Sequence, residues 1–285
     1  MSELELLGGA INAAIDMTND AYHASAGVSN SQLKVFMDDV REYWWQYISG
    51  QYEKERKAHF DFGTAVHDLA LLGDKLNVIE IPKDVLASNG AKSGNTWKAF
   101  EAAHDGAILL KSHEYAALHG CVDAVMNHPV AGKLLSQPGV CERAFMAHDN
   151  NLELLTRCKP DKLLDNEIVV DLKTTATGTK ASKFVKNITS FQYHCQEYFY
   201  RRVLKAFGIE VKAFVFIAVQ VEPPHTVDCY TISEEFLRLA EADVENALID
   251  LAERTRANDW LPRNINSIVE LSPPGFLKYN GEYSL

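Results

Sequence analysis

The chain has 285 residues, of which 47% are hydrophobic and 24% charged, and its formal net charge is −11. This composition is that of an ordinary globular protein and excludes a low-complexity or collagen-like chain. The acidic balance argues against broad electrostatic binding of nucleic acid, because phosphate contacts normally come from lysine and arginine. Apolar runs such as Ala213 to Val219 are too short to span a bilayer, and the N-terminus lacks the basic segment of a secretory signal. We therefore expect a cytoplasmic protein with no membrane partner.

The cysteines are scattered through the chain without the short spacing of a metal-binding pair. They are Cys121, Cys141, Cys158, Cys195 and Cys229. An odd number of dispersed cysteines in a cytosolic chain is typical of reduced, mostly buried thiols. The pattern argues against a zinc site and predicts that the protein has no iron–sulfur cluster.

No linker, low-complexity tract or internal repeat divides the chain, so we expect one main domain over residues 28–262. Residues 1–27 are rich in small side chains and predict an irregular or partly helical N-terminal arm. Residues 263–285 contain Pro273 and Pro274 and predict an irregular C-terminal tail.

The first clear helix is predicted to begin near residue 29. Ser29 or Asn30 has the side chain of a helix cap, and apolar residues then recur at helical spacing. An aromatic cluster ends this helix, formed by Trp44, Trp45 and Tyr47. Such rings can stack on nucleobases, but we expect them to pack in the core, as buried aromatic side chains usually do.

Residues 60–73 predict a second helix, with Gly73 at its C-terminus. Gly63 lies one turn before His67, and a small residue there permits the close packing that lets an imidazole reach a neighbouring metal. A lone histidine is more often an ordinary core or surface residue, and the residues alone leave that alternative open. A polar, mobile loop over 88–95, a helix over 109–128 and a short turn over 131–135 are predicted next.

Strands are predicted after these helices. Residues 140–148 alternate loosely between apolar and polar side chains and include Glu142. Asp165-Asn166 has turn chemistry, so the segments on either side predict a hairpin with strands near 152–163 and 167–174.

The hairpin brings two carboxylates and a lysine together: Asp161, Asp171 and Lys173. Residues i and i+2 of a strand share a face, so Asp171 and Lys173 should point the same way while Leu172 enters the core. Hard oxygen ligands hold Mg²⁺, and an ammonium group steadies a hydroxide or the charge that develops on a phosphate. The arrangement therefore suits divalent-metal phosphodiester chemistry. The alternative is a solvated strand face with a surface ion pair worth about 0–1 kcal/mol.

Positive charge is concentrated between residues 157 and 186 despite the acidic whole. The basic residues there are Arg157, Lys159, Lys162, Lys173, Lys180, Lys183 and Lys186. A local positive surface around a metal site predicts transient, processive contact with a polyanion. The alternative is a solvated, lysine-rich loop.

Residues 190–207 predict a strong helix. Gln196 and Tyr200 lie four residues apart and share a face, with Gln192 one turn earlier, whereas Tyr193 and Tyr198 point elsewhere. An amide and a phenol on one face can position a water or a phosphate oxygen. An ordinary amphipathic helix with a polar outer stripe is the alternative.

The remaining elements complete a mixed pattern. They are a short helix over 181–187, a buried strand over 211–221, an edge strand over 226–232 and a long helix capped by Ser233 that reaches Ala257. Helices, three strands, a helix, two strands and a helix predict an α/β fold with helices packed on a sheet.

Five motifs occur in a fixed order between residues 28 and 262. They are Gly63-x-x-x-His67, Glu142, Lys159-Pro160-Asp161, Asp171-Leu172-Lys173-Thr174 and Gln196-x-x-x-Tyr200. This series resembles the RecB/RecE branch of the PD-(D/E)XK nuclease superfamily, and is most similar to the nuclease domain of RecE-like exonucleases (exodeoxyribonuclease VIII). The resemblance implies a restriction-endonuclease-like α/β core, with a central mixed β-sheet flanked by helices, as the fold of residues 28–262.

The resemblance also implies roles for the matching residues. His67, Asp161, Asp171 and the backbone carbonyl of Leu172 would bind Mg²⁺, with Mn²⁺ as a substitute. Glu142 would support the metal directly or through a water. Lys173 would orient or activate the attacking water. The remaining pair, Gln196 and Tyr200, would hold their helix against a substrate phosphate.

The activity implied by the resemblance is degradation of one strand of duplex DNA from its 5′ end, which leaves a 3′ overhang. The expected partners are double-stranded DNA ends and a single-strand annealing protein of phage-type recombination. Related exonucleases form rings around DNA, which implies a ring-shaped homo-oligomer. A ring would also keep an acidic protein on DNA by topology instead of charge.

The chain differs from some members of the superfamily in two respects. The cysteines that flank the nuclease core in the iron–sulfur relatives do not occur in that arrangement here, and there is no helicase segment. Three alternatives stay open: a structure-selective or single-strand DNA endonuclease, a catalytically idle DNA-binding subunit, and a protein unrelated to nucleic acid.

Overall fold

The computed structural model of the protein describes residues 12–52, 62–73, 77–262 and 265–272. The strands are β1 (Ala13–Asp16), β2 (Val28–Ser29), β3 (Val78–Glu80), β4 (Ile108–Leu110), β5 (Gly139–Cys141), β6 (Arg143–Asp149), β7 (Leu154–Cys158), β8 (Lys162–Leu164), β9 (Ile168–Thr175), β10 (Ala213–Gln220) and β11 (Val227–Tyr230). The α-helices are α1 (Asn19–Ala24), α2 (Asn30–Asp38), α3 (Val40–Tyr43), α4 (Phe62–Leu72), α5 (Asn95–Ala103), α6 (Ser112–Asn127), α7 (Ala131–Ser136), α8 (Ala181–Ser190), α9 (Tyr193–Lys205) and α10 (Glu234–Ala257). A π-helical turn, Trp44–Ile48, follows α3, and a 3₁₀ turn, Lys83–Val85, follows β3.

The predicted α/β class with a mixed sheet is confirmed. The five-stranded sheet has the order β11-β10-β9-β8-β5, in which β9 and β10 run parallel and the other neighbours antiparallel. A second sheet, which was not predicted, has the order β1-β6-β7-β2. A third pair joins β3 to β4.

Helices cover both faces of the five-stranded sheet. One face contributes Phe214 and Phe216 of β10 to a core shared with Phe199 of α9 and Leu248 of α10. The other face packs against α4 and α6 through residues that include Val170, Leu172 and Ile217. The residues of β9 and β10 therefore alternate between two buried layers, as expected for a strand covered on both sides.

Two predicted strands are wrong because each is broken in the middle. The segment over 140–148 divides at Glu142 into β5 and β6, and the segment over 152–163 divides at residues 159–161 into β7 and β8. In both cases the two halves belong to different sheets. Glu142 has a φ of 54°, a left-handed conformation that an extended strand does not accommodate, and Pro160 has no N–H to donate to a ladder. The two breaks are joined by a hydrogen bond of 3.1 Å from the Glu142 N–H to the Asp161 carbonyl.

The helix predicted from residue 29 is capped as expected but is shorter. Ser29 and Gln32 form a reciprocal capping box, and α2 then ends where Asp39 becomes extended and caps α3. Trp44 packs against the core, whereas Trp45 and Tyr47 are 39% and 40% exposed. The prediction of core packing is therefore wrong for these two rings, because the break at Asp39 and the π-helical turn rotate them outward.

The later elements follow the predictions with one difference. The helix predicted over 190–207 begins at Tyr193, since Gln192 is left-handed (φ 52°) and forms a corner with Phe191 between α8 and α9. The buried strand is β10, the edge strand is β11, and Ser233 caps α10, all as predicted.

The N-terminal segment is more ordered than an irregular arm. Part of it is helical as expected, in α1, but residues 13–16 also form β1, which pairs antiparallel with β6. Of the predicted irregular tail over 263–285, residues 265–272 are described and form neither helix nor strand. Residues 263–264 and 273–285 of the tail, and residues 1–11, lie outside the described residues. Among the described helices, none combines the length and apolar character required to cross a bilayer.

Candidate active site

A cleft of about 340 Å³ lies where α1 and α4 approach the C-terminal half of β9. Its lining includes most of the residues that the sequence motifs single out, together with several residues of α1. The lining residues are Asn19, Tyr22, His23, Gly63, Thr64, His67, Asp68, Glu142, Lys159, Asp161, Leu172, Lys173, Thr174, Tyr193 and Tyr200.

Three potential metal ligands meet in this cleft: His67, Glu142 and Asp161. Their donor atoms all lie within 4.8 Å of one another. His67 Nε2 lies 2.6 Å from Asp161 Oδ2, and His67 Nδ1 lies 3.6 Å from Glu142 Oε1. The histidine comes from α4, and the two acids come from the two strand breaks. The breaks therefore have a structural consequence, because they turn both carboxylates toward the imidazole.

A second group lies beside the first, built from Asp171, Lys173 and Gln196. Lys173 Nζ lies 2.7 Å from Asp171 Oδ2, so the two side chains share a face of β9 as predicted. The Gln196 amide donates to Asp171 Oδ1 at 2.7 Å, and its oxygen accepts from Lys173 Nζ at 3.0 Å. Asp171 is only 1% exposed and lies outside the three-residue ligand group. In this arrangement its carboxylate contacts the lysine and the amide.

Leu172 connects the two groups through its backbone. Its N–H donates to Asp161 Oδ2 at 2.7 Å. The N–H and C=O of one strand residue point to the same edge, so the Leu172 carbonyl also faces the side on which Asp161 lies. The Leu172 carbonyl, the predicted backbone ligand of the metal, therefore lies on the same side of β9 as the Asp161 carboxylate.

The tyrosines of α9 are arranged differently from the prediction. The Tyr193 ring lies under Lys173, with Nζ 4.7 Å from the ring centroid, although Tyr193 was expected to point away. Tyr198 does point elsewhere and donates to Glu245. Tyr200 lines the cleft and donates to the Lys159 carbonyl at 3.4 Å. The prediction of a shared face failed for Gln192, because it precedes the helix in a left-handed conformation.

The amide of Gln196 and the hydroxyl of Tyr200 both have protein partners. These contacts hold Asp171, Lys173 and the Lys159 backbone in place. A role of Gln196 and Tyr200 against a substrate phosphate stays a prediction.

The contribution of α1 was missed by the sequence analysis. Asn19 accepts a hydrogen bond of 2.6 Å from Lys159 Nζ, which also forms an ion pair with Glu142. Thr18 caps α1 with its side chain, and that Thr-Asn-Asp start is the sequence signal that could have located the helix. The N-terminal segment therefore helps to fix a potential metal ligand through a buried lysine.

The charges of the site are strongly coupled. Burial alone would lower the pKa of His67, but Asp161, Asp68 and Glu142 raise it to about 11. Burial would raise the pKa of Asp161, yet His67, Lys173 and the Leu172 N–H hold it below its usual value. Burial and the Asp161 charge raise the pKa of Asp171 to about 6, against the effect of Lys173. The raised pKa of His67 shows that the converging carboxylates stabilise a positive charge at this place.

The residues present fit a divalent metal. One imidazole nitrogen and several carboxylate oxygens form a donor set suited to Mn²⁺ and Mg²⁺. Asp171 Oδ2 is buried and forms an ion pair with Lys173 Nζ at 2.7 Å. A carboxylate oxygen has more than one acceptor site, so it can also bind a cation or accept from a cation-bound water.

The expected positive surface between residues 157 and 186 is smaller than predicted. Arg157, Lys159 and Lys162 are buried and bonded within the protein. The exposed cations are the lysines of the loop and helix that follow β9. They are Lys180, Lys183 and Lys186. Within residues 157–186, the exposed positive charge therefore lies on α8 and at its N-cap.

Comparison with known proteins agrees with this geometry. Residues 29–263 match the family described as PDDEXK-like domain of unknown function (DUF3799), and the chain belongs to that family. A solved structure of a "putative exonuclease" from Eubacterium rectale is similar to the chain, with a TM-score of 0.61 and 13% sequence identity. The match covers 94% of this chain and 99% of that one.

A second solved structure, of the protein SSO0001, is 16% identical, and the match covers 64% of this chain and 84% of that chain. Its TM-score of 0.27 is too low to indicate a shared fold. No curated protein matches the chain. The family and the shared fold confirm a PD-(D/E)XK core and place the chain in that superfamily. They do not specify the RecE branch.

Proposed function

We propose that the protein is a metal-dependent deoxyribonuclease that removes nucleotides from the ends of double-stranded DNA. The observation that carries this proposal is the convergence of His67, Glu142 and Asp161 beside the Asp171–Lys173 pair. Together with membership of a PDDEXK-like family, this convergence supports phosphodiester hydrolysis. The alternative, a solvated ion pair on an exposed strand face, does not explain why Asp171 is almost completely buried.

The metal would be held by His67, Asp161, Asp171 and the Leu172 carbonyl, with Glu142 supporting it directly or through a water. When bound, a divalent cation polarises a phosphodiester and lowers the pKa of a water. Mg²⁺ is the proposed ion, and Mn²⁺, which accepts an imidazole ligand more readily, is the proposed substitute.

Lys173 is the residue proposed to act on the reacting atoms. Buried carboxylates raise its pKa despite burial, so its ammonium stays protonated and donates to the attacking oxygen or to the charge on the phosphate. Gln196 and Asp171 fix the ammonium from two sides, and the Tyr193 ring supports it from below. A preorganised donor of this kind needs no reorganisation when the charge develops.

The finer features rest on the resemblance to RecE-like exonucleases. They are 5′-to-3′ polarity, a 3′ single-stranded overhang as product, a ring-shaped homo-oligomer and a single-strand annealing partner in phage-type recombination. The solved structure with the same fold is described as a "putative exonuclease", which supports action at ends. A structure-selective or single-strand endonuclease would use the same site on a different substrate.

The test compares linear duplex DNA labelled at either 5′ end with closed circular duplex, in Mg²⁺, in Mn²⁺ and in EDTA. We expect release of labelled nucleotides from linear duplex only, in the presence of either metal, with no cleavage of the circle. Cleavage of the circle would identify an endonuclease. Metal binding without hydrolysis of any DNA would indicate an idle DNA-binding subunit.

A further inference from the structure

An exposed aromatic ring lies at the corner between α8 and α9. Phe191 is 52% exposed, although a phenylalanine usually buries most of its surface. One face of its ring stacks on Tyr193, with centroids 5.6 Å apart and planes inclined by 26°. The opposite face is therefore the open one. The ring is held in a fixed position by a neighbour and still presents a flat apolar surface to solvent.

This ring is adjacent to the candidate active site. Phe191 stacks on the Tyr193 ring, and the centroid of that ring lies 4.7 Å from Lys173 Nζ. Tyr193 therefore contacts both Phe191 and the Lys173 ammonium. The left-handed conformation of Gln192 (φ 52°) separates the two rings and sets them side by side. Non-glycine residues in this conformation are strained and often occur at functional sites.

A lysine lies beside this exposed ring. Lys34 of α2 donates to the Phe191 carbonyl at 2.6 Å. Burial and the nearby Lys173 ammonium lower the pKa of Lys34. Lys183 and Lys186 are exposed on α8, the helix that ends at this corner. An aromatic ring next to a cation is an arrangement that binds single-stranded nucleic acid.

We propose that Phe191, supported by Tyr193, is a stacking subsite for an unpaired nucleobase next to the phosphate that Lys173 contacts. The inference rests on the proposed deoxyribonuclease function and specifies how that site recognises its substrate. The phosphate between Lys34 and Lys173 and the base on the ring would belong to one strand. The protein would therefore select strands whose terminal base is unstacked, without preference for one base, because every base has a π-face.

The test measures binding of a short single-stranded oligonucleotide that contains 2-aminopurine, whose fluorescence falls when it stacks on an aromatic ring. Binding is measured in EDTA and in Ca²⁺ for the wild-type protein and four variants. Phe191→Ala removes the ring, Phe191→Leu keeps an apolar contact with Tyr193 but has no π-face, and Phe191→Trp restores an aromatic surface. Leu239→Ala, on α10, is the matched control, because Leu239 is 57% exposed and does not line the cleft.

We expect Phe191→Ala and Phe191→Leu to weaken binding by roughly 5- to 150-fold, the range that corresponds to loss of one base–aromatic stack. The fluorescence decrease should disappear in both. Phe191→Trp and Leu239→Ala should bind like the wild type. Equal affinity and equal quenching in the wild type and Phe191→Leu would overturn the subsite, as would a wild type that shows no quenching.

Failure of the subsite and failure of the proposed function give different results. Suppose that the wild type hydrolyses linear duplex and that Phe191→Leu has the same activity and the same affinity for the oligonucleotide. The proposed nuclease function would then stand, and the stacking subsite would be wrong. If the wild type hydrolyses no DNA in Mg²⁺ or Mn²⁺, the proposed nuclease function is wrong. The fluorescence assay would still show whether a base stacks on Phe191.

Discussion

At the scale of single residues, Gln196 uses both ends of its amide to hold the two charged partners of β9. It donates to Asp171 and accepts from Lys173, and neither contact involves a substrate atom. We therefore predict that Gln196→Leu lowers kcat for hydrolysis of linear duplex by roughly 10–100-fold, the range seen when a positioning residue is removed. KM should change little, because the lysine remains present but is misaligned.

The control for that prediction is Gln46→Leu, which removes a partly exposed amide that donates to Glu42, far from β9 in sequence. Steady-state kinetics on both variants should separate them. An unchanged kcat in Gln196→Leu, or a loss confined to KM, would show that Gln196 does not position Lys173.

Glu197 gives a prediction about stability and pH. Burial raises the pKa of its carboxyl to about 7, although Arg201 opposes the shift. The folded protein then binds this proton more tightly than the unfolded chain, whose glutamates titrate near 4.3. Stability from this group is complete below about pH 4.3 and is lost as the pH rises through about 7.

Glu197→Gln removes the titrating group and should abolish that dependence. Urea unfolding from pH 4.5 to 8 should show the wild type losing stability relative to Glu197→Gln as the pH rises. A difference between the two proteins that stays constant across this range would mean that Glu197 does not titrate with a raised pKa.

At the scale of elements, Arg157 fastens the N-terminal segment to the second sheet. Its guanidinium is 1% exposed, donates to Gly27, Ser25 and Gln32, and stacks over the Tyr22 ring. Arg157→Met should destabilise α1 and β2 by about 1–3 kcal/mol, because buried acceptors lose their donor. Hydrogen exchange of residues 19–29 should accelerate accordingly.

Arg256→Met is the matched control for Arg157→Met. Arg256 contacts Glu153 and the Leu152 carbonyl at the surface, so its loss should leave exchange in α1 unchanged. If Arg157→Met leaves protection of residues 19–29 at the wild-type level, α1 is held by other contacts.

Local pattern predicted the elements whose signal is short-range. The alternation of β9 placed Asp171 and Lys173 on one face, and the caps at Ser29 and Ser233 follow from side-chain chemistry. The breaks at Glu142 and Pro160 were missed, because periodicity cannot show that two halves of a segment pair with different sheets. These same breaks orient the carboxylates of the site.

At the scale of the whole molecule, the meeting of His67 with Asp161 was predictable only from the ordered motifs. No local pattern relates a helix residue to a strand residue that far along the chain. The place of α1 in the cleft depends on tertiary packing and did not follow from helical periodicity. Tyr193 lies three residues before Gln196, so periodicity does place the two on one face, and the prediction that Tyr193 points away was wrong. Burial also removed Arg157, Lys159 and Lys162 from the predicted positive surface.

The assembly proposed from the RecE resemblance is also a property of the whole molecule. A net charge of −11 gives no net electrostatic attraction to DNA, so a closed ring would retain the substrate by enclosing it. Sedimentation velocity of the full chain should therefore show a discrete homo-oligomer over a range of concentrations. A monomer at all concentrations, with or without duplex DNA, would exclude the ring.

The central claim is that side chains distant in sequence bind one divalent cation that is required to cut DNA. It is tested most directly by the rate of hydrolysis of linear duplex as a function of Mn²⁺ concentration, for the wild type and Asp161→Asn. The wild-type rate should rise to saturation with Mn²⁺ and be abolished by EDTA. Asp161→Asn should need at least about 10-fold more Mn²⁺ and reach a rate at least about 100-fold lower. Hydrolysis that is independent of Mn²⁺, or an Asp161→Asn variant with the wild-type Mn²⁺ dependence and rate, would contradict the claim.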